Sequence, residues 1–350
     1  MTDGAAMTKR LFAAAAAALI LVLGLLRTAP AAAAEDPAAF YKGRTVYLWI
    51  GFGAGGDDDR WGHLVAQYMG AHIPGQPTIV PQNLPGSAGL VVTNRLYNAA
   101  PKDGSVIALV NRGIPFEPLL AGLGPQFDPL KLNWIGSPNS DTTVCAALKS
   151  SPVQTMQDLK TKELTVGATG SGADTQIYPQ LLSTLLGMKF KIISGYPGSR
   201  AISLAMERNE VQGICVSYDS LSHETVFQEG ETNILLQAAL KPDPRLKDVP
   251  LATDAAPGGI ERQALALFFA RTEIGRPFVA PPGVPQDRLD ALRKGFEQTL
   301  ADPGFIAAAK TQQLNIVPIS WQTIADDVAK AYDTPKDVVA ATIKALGRSK

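Results

Sequence analysis

The stretch "TVYLWIGFGAGGDDDRWG", residues 45–62, decides the fold. Its first six residues are apolar, β-branched or aromatic and read as a buried strand. A glycine-rich turn follows directly. Beyond the turn, Trp61, Leu64, Val65, Tyr68 and Met69 fall at i, i+3, i+4, i+7 and i+8, the apolar stripe of an amphipathic helix. Strand, glycine turn and helix together open a doubly wound α/β sheet. The same residues set up a chemical conflict. Bare N–H groups at a helix start attract an anion, yet Asp57, Asp58 and Asp59 stand where that anion would arrive.

Outward from this unit, the first helix stops near "IPGQP", and a second strand, "TIVPQ", leads through "NLPGSAG" into a helical stretch reaching Ala99. "SVIALV" supplies a third strand, and the alternation predicts a parallel doubly wound sheet. A second set of elements starts near Trp134 and repeats the logic: strand "ELTVGAT", loop "GSGAD", helix "TQIYPQLLSTLLG", strand "KFKIISGY", turn "PGSR", helix "AISLAMERNE" and the short strand "GICVSY". After "ILLQAAL" (Ile234 to Leu240), a proline-rich passage leads to "FVAPPGVPQD" and three helical stretches. One of these carries Leu289, Leu292, Phe296 and Leu300 as a stripe. Ser320, and Thr334 before Pro335, read as N-caps.

The 350 residues are 46% hydrophobic and 18% charged, ordinary for a globular chain with ample core and long enough for two domains. Lysine plus arginine equal aspartate plus glutamate at 32 each, so composition makes no electrostatic case for nucleic acid or an anionic membrane. At the front, Lys9 and Arg10 precede "LFAAAAAALILVLGLL" and the run closes on "RTAPAAAAEDP". About sixteen apolar residues are short for a membrane span. Charged start, apolar centre and small-residue end predict a signal peptide over residues 1–34, cleaved near Ala34. Its loss removes Lys9, Arg10, Arg27 and Asp3 and leaves a nearly neutral exported chain of about −2. The two cysteines, Cys145 and Cys215, lie in strand-like apolar surroundings. In an oxidising compartment they suit a bridge, and as buried thiols they suit a core.

Gly51, Gly53 and Gly56 satisfy G-x-G-x-x-G between a strand and a helix. The dinucleotide reading fails on the next features. "TIVPQN" ends in Gln82 and Asn83 where a ribose-binding carboxylate belongs, the aspartates would repel a pyrophosphate, and an exported chain meets little nicotinamide cofactor. A calcium loop alternates its ligands and places a glycine and a distant glutamate after them; "DDDRWG" does neither. Two roles remain open for Asp57 and Asp58: carboxylates facing solvent and stabilised by the helix dipole, by about 0.3–1 kcal/mol each, or groups turned toward a ligand. His63, His72 and His223 are the only histidines, and neither a G-x-S-x-G elbow nor an H-E-x-x-H pair occurs. No enzyme machinery, metal site or cofactor is implied. What recurs instead, in both halves, is a small-residue turn at a helix start: "GAGGDDD", "LPGSAG", "GSGAD" and "YPGSR". Turns of this kind facing each other across a cleft make a trap for a small solute.

These residues resemble the solute receptors of tripartite tricarboxylate transporters, also called Bug-type receptors, over essentially the whole exported chain. The likeness rests on "YKGRTVYLWIGFGAGG", "HIPGQPTIVPQNLPGSAGL", "NAAPKDGSVIALV", "SGYPGSRAISLAMERNEVQGIC" and "GRPFVAPPGVPQDRLDALRKGFEQTLADPGF". The resemblance implies a type II periplasmic-binding-protein fold, two doubly wound lobes with a ligand cleft between them. Residues 35–138 and 240–350 would form lobe 1 and residues 139–239 lobe 2. It also implies an organic anion as ligand, often a carboxylate. By position, Gly53, Ala54, Gly55 and Gly56 match the family's first loop, and Asp59 the aspartate that usually ends it. Ser87 and Ala88 lie on the turn into the second helix. Ser171, Gly172, Ala173 and Asp174 match the second-lobe loop, Tyr196, Pro197, Gly198 and Ser199 its tyrosine-containing turn, and Tyr218 with Asp219 a segment that often lines the site. The opening loop departs from the pattern: similar receptors generally have glycine at position 57 and an uncharged residue at 58.

The expected function is capture of a small carboxylate-type or amino-bearing solute in the periplasm, by a monomer that hands it to the permease subunits of a tripartite transporter. The partners implied are the solute and the permease, without nucleic acid. A receptor that reports to a signalling partner, and an exported enzyme on the same scaffold, are the alternatives.

Overall fold

A computed structural model describes residues 36–122, 124–170 and 173–348. The predicted signal peptide lies outside the described residues, as do Ser171 and Gly172. Strand β1 is Thr45–Ile50. It pairs in parallel with β2, Thr78–Asn83, on one side and β3, Val106–Leu109, on the other. Pro81 sits in β2, which is an edge strand, where a missing N–H is tolerated. The helix Asp57–Met69 covers this sheet with Trp61, Leu64, Val65 and Met69, all buried beside Val46, Leu48 and Ile50; Tyr68 is half-buried, edge-on to Phe305. Each of the four buried side chains contributes about 1.5–3 kcal/mol. That exceeds the dipole stabilisation of the aspartates, so packing holds the helix. Gly62 permits the close approach, because a Cβ there would stand 2.5 Å from Ile50 Cδ1.

After β4, Asn133–Ser137, the chain leaves the first sheet and enters β5, Thr143–Leu148. Strands β6 (Leu164–Ala168), β7 (Phe190–Ser194), β8 (Gly213–Ser217) and β9 (Thr232–Ala238) complete a second sheet in the order β7-β6-β8-β5-β9. Strand β6 runs parallel to β7 and to the central β8, while β5 is antiparallel to β8 and β9. Cys145 and Cys215 face one another across β5 and β8, Cα atoms 4.0 Å apart, and are joined by a disulfide. The chain then returns through β10, Phe278–Ala280, and β11, Ile319–Ser320, giving the first sheet the order β11-β4-β10-β3-β1-β2. Both returning strands are antiparallel to their neighbours, so each sheet is mixed where the sequence predicts parallel strands.

Among the described residues four helices follow β10, not three: Gln286–Ala301, Pro303–Thr311, Trp321–Tyr332 and Lys336–Ala345. Asp302 splits the first pair by accepting from the N–H groups of Gly304 and Phe305 ahead of Pro303. Ser320 caps its helix through Thr323 N–H, but Thr334 does not cap the last one; the N-cap there is Pro335, which offers no side-chain acceptor. The helices Gly259–Phe269 and Lys336–Ala345 pack on each other and on Asp174–Leu186 of the second sheet, although both belong to the segment that the sequence places with the first. One apolar cluster accordingly runs from Val92, Leu96 and Phe116 to Tyr178, Phe268 and Val339. The two segments that cross between the sheets also touch. A Cβ on Gly275 would stand 1.7 Å from the carbonyl oxygen of Asn139, and Ser137 Oγ accepts from Arg276 N–H at 2.8 Å. At φ +64°, Gly275 is a position only glycine fills without strain.

Candidate ligand-binding site

The small-residue turns singled out in the sequence follow β1, β2, β6 and β7. They therefore lie at the carboxyl ends of parallel strands, where open α/β sheets bind ligands. Gly56, Gly89, Ala173 and Gly198 are the N-caps of the helices that follow, and none has a side-chain cap hydrogen bond. After Gly56, Ala173 and Gly198 the first N–H groups are left for a ligand or water, whereas after Gly89 the N–H of Leu90 donates to the carbonyl of Ser87 and that of Val91 to the carbonyl of Gly86. Gly53, Ala54, Gly55, Gly56 and Ser87 are exposed, Ser87 at φ +46°. Tyr196 and Gly198 are partly buried. Backbone N–H groups of Gly195 and Tyr196 both reach the carbonyl of Ala168, which ties that turn to the end of β6.

Each aspartate of the opening loop has a different task. Asp59 is buried and accepts from Gly55 N–H at 2.8 Å and from Asn83 Nδ2 at 2.6 Å, with His63 Nε2 3.3 Å away. Burial works to raise its pKa, but these hydrogen bonds outweigh it and hold the pKa below the usual value. Asp59 thus fixes the shape of the glycine loop. Asp57 turns across to the second sheet: Ser220 Oγ, in the short helix after β8, donates to its Oδ2 at 2.7 Å, while Arg60 holds Oδ1. Burial opposes ionisation there too, and the hydrogen bonds from Arg60 and Ser220, with the charge of Arg276, lower the pKa overall. Asp58 forms an ion pair with Arg276, with Nε 3.2 Å from its Oδ1. Burial, reinforced by the charges of Asp57 and Asp141, outweighs Arg276 and raises its pKa. Both side chains turn inward, at 18% and 27% exposed, and neither is the solvent-facing carboxylate that dipole stabilisation alone would produce.

Arg276 is the hub that sequence reading missed. Buried to 7% exposure, its guanidinium also places Nη2 3.3 Å from Asp141 Oδ2 and 3.7 Å from Asp57 Oδ2. Asp141 in turn accepts from Ser217 Oγ. Arg112, just past β3, donates to the carbonyl of Asp141 (2.8 Å), to Thr143 Oγ1 (2.9 Å) and to Asp174 Oδ2 (2.7 Å), so the first sheet is bound to the start of β5 and to the helix at Asp174. Asp219 is buried and paired with Arg245, which also grips Asp243 and lies over the ring of Tyr218. Tyr218 meets Phe227 edge-on. Asp174 and Asp219 are therefore already engaged by arginines of the chain. In the sequence, "NRG" after one strand and "GRP" before another were the available signals: a lone charge beside a buried apolar strand needs a partner, but nothing local names it.

A separate groove of about 500 Å³ lies on the outer flank of the first helix, lined by Arg60, His63, Gln67, Pro81 and Gln312 among others. Among the described residues, no helix is long and apolar enough to cross a membrane.

The model of the tripartite tricarboxylate transporter family receptor, TctC, matches residues 64–342. The chain belongs to that family. The match begins about two turns inside the first helix, so Asp57, Asp58 and Asp59 lie outside the matched segment. No curated protein sequence matches it. Among solved structures, it is similar to the periplasmic binding protein BugD at TM-score 0.64 and 21% identity, over 87% of this chain and 98% of that one. MatC from Rhodopseudomonas palustris with bound malate gives 0.63 and 20%, over 85% and 99%. R. palustris Rpa4515 with adipate gives 0.62 and 19%, over 86% and 97%. These likenesses establish the fold, and the family is one of receptors for small solutes, not of enzymes.

Proposed function

We propose that this receptor is exported to the periplasm, closes on a small organic solute between the carboxyl edges of its two sheets, and delivers it to the permease of a tripartite transporter. Lobe 1 then comprises residues 35–138 and 240–350, lobe 2 residues 139–239, and the protein acts as a monomer. The observation that carries this reading is the hydrogen bond from Ser220 Oγ to Asp57, which brings the end of β8 against the end of β1. The turns with uncapped helix starts belong to those same edges. Donors of both lobes converge on a solute there, and differential affinity for the closed form drives closure. The malate of MatC and the adipate of Rpa4515 support small carboxylic acids as the ligand class.

The test is a thermal-shift screen of the exported protein against mono-, di- and tricarboxylates, amino acids and aromatic acids, with each stabilising compound analysed afterwards. A ligand at 100 times its Kd adds about 2.7 kcal/mol of apparent stability, and the compound should be recovered unchanged. Conversion of the stabilising compound would make the protein an enzyme, and a screen without any stabilising compound would remove the receptor reading.

A further inference from the structure

The polar atoms at the junction of the sheets are not all used. Arg276 Nη1 is buried without a hydrogen-bond partner; so are Asp141 Oδ1 and both amide atoms of Asn139, a residue with no exposed surface. Unpaired buried donors and acceptors are uncommon and costly, and each needs a partner from a water or a ligand. The charges do not balance either. Three carboxylates, Asp57, Asp58 and Asp141, surround the one guanidinium of Arg276. Asp57 has Arg60 and Ser220 besides, and Asp141 has Ser217. Among the described residues the ion pair of Asp58 is with Arg276, without hydrogen-bond geometry, and Arg112 adds positive charge at longer range. It is also more exposed than Asp57 or Asp141. The chain thus leaves one donor face of an arginine and one carboxylate side by side, with a surplus of negative charge around them.

A dicarboxylate offers acceptors only. It would satisfy Arg276 and meet Asp58 with like charge; at about 6 Å and an effective dielectric near 20 that repulsion lowers affinity by roughly a hundredfold. A solute with both a carboxylate and an ammonium satisfies both. Resting on the receptor reading above, we propose that Arg276 and Asp58 form a paired subsite that selects a zwitterionic amino acid over the plain carboxylic acid of the same skeleton, the carboxylate taken by Arg276 and the ammonium by Asp58. Asp57, already shared between Arg60 and Ser220, stays with the interlobe contact.

The experiment measures affinity by calorimetry for matched pairs: propionate and alanine, succinate and aspartate, glutarate and glutamate, adipate and 2-aminoadipate, 3-phenylpropionate and phenylalanine. The proteins are the wild type, Asp58→Asn and Arg276→Lys, each checked for cooperative melting. The inference expects the amino member of at least one pair to bind at least 10-fold more tightly than its partner. Asp58→Asn should weaken that amino acid by about 10- to 100-fold, the range for a hydrogen bond to a charged group, and strengthen the plain acid. Arg276→Lys should weaken both members. If only plain acids bind, or if Asp58→Asn weakens both members of a pair equally, the zwitterion inference falls while the receptor reading stands. If no compound binds, both fall. Asp58→Asn alone carries the decision should Arg276→Lys fail to melt cooperatively.

Discussion

Asp58 costs the folded protein something that Asp57 and Asp59 do not. Its pKa is raised by burial and by the neighbouring carboxylates, even with Arg276 beside it. As pH rises past the ordinary aspartate value near 3.9, the unfolded chain gives up the proton first. Stability therefore falls until the folded pKa is passed, and the penalty is complete above it. Asp57 has the opposite sign: its lowered pKa contributes stability above the ordinary value, lost as pH falls through the folded one. Without ligand at pH 7, Asp58→Asn should raise Tm and Asp57→Asn should lower it; each 1 kcal/mol of difference reads as on the order of 2 °C for a chain of this size. The Asp58 difference should shrink toward pH 4, whereas the Asp57 difference should persist to about pH 4 and be lost only below it. A melting series from pH 7 to pH 4 checks this, and a lower Tm for Asp58→Asn at pH 7 would show that Arg276 needs that charge to stay buried. A site residue that destabilises its own fold is what a binding role leads one to expect.

Glycines divide into two kinds at the scale of the elements. Gly56 and Gly198 start helices with ordinary or extended backbone, φ −85° and −178°, and a Cβ at either meets nothing within 4 Å. Gly62 lies inside the first helix against Ile50. Gly56→Leu and Gly198→Leu should each cost about 1 kcal/mol or less in apo stability yet abolish stabilisation by the solute. Gly62→Leu should destabilise the apo protein by about 1–3 kcal/mol or more through overpacking. Tm with and without ligand separates the two classes, and unchanged affinity in both N-cap variants would move the site elsewhere. The turns themselves were legible in the sequence, because small residues between a strand and an apolar stripe have few other uses. The ion pairs were not. Arg276 is more than two hundred residues from Asp57, and no periodicity links them. Thr334 misled because the threonine-proline pair imitates a cap, while the proline itself took the N-cap position. The helices Gly259–Phe269 and Lys336–Ala345 show apolar faces in sequence, but a face does not state which sheet it will cover.

On the scale of the whole molecule, the two sheets are joined along one side and only latched on the other. The apolar cluster from Val92 to Val339 and the contact of Gly275 with Asn139 bind the lobes continuously. At the carboxyl edges the link is polar: Ser220 to Asp57, and the arginines among their carboxylates. Polar contacts exchange readily with water, whereas separating a packed core costs about 25 cal/mol per Å² of apolar surface exposed. Opening should therefore hinge on the shared core and part the carboxyl edges. The most direct test is hydrogen–deuterium exchange of the protein, with and without the acid that raises its Tm most. Residues 52–58 and 86–90 of the first lobe, and 196–200 and 217–221 of the second, should gain protection together, with the groove at Arg60, Gln67 and Gln312 unchanged. Protection confined to one lobe, or appearing in that outer groove alone, would contradict binding between the sheets.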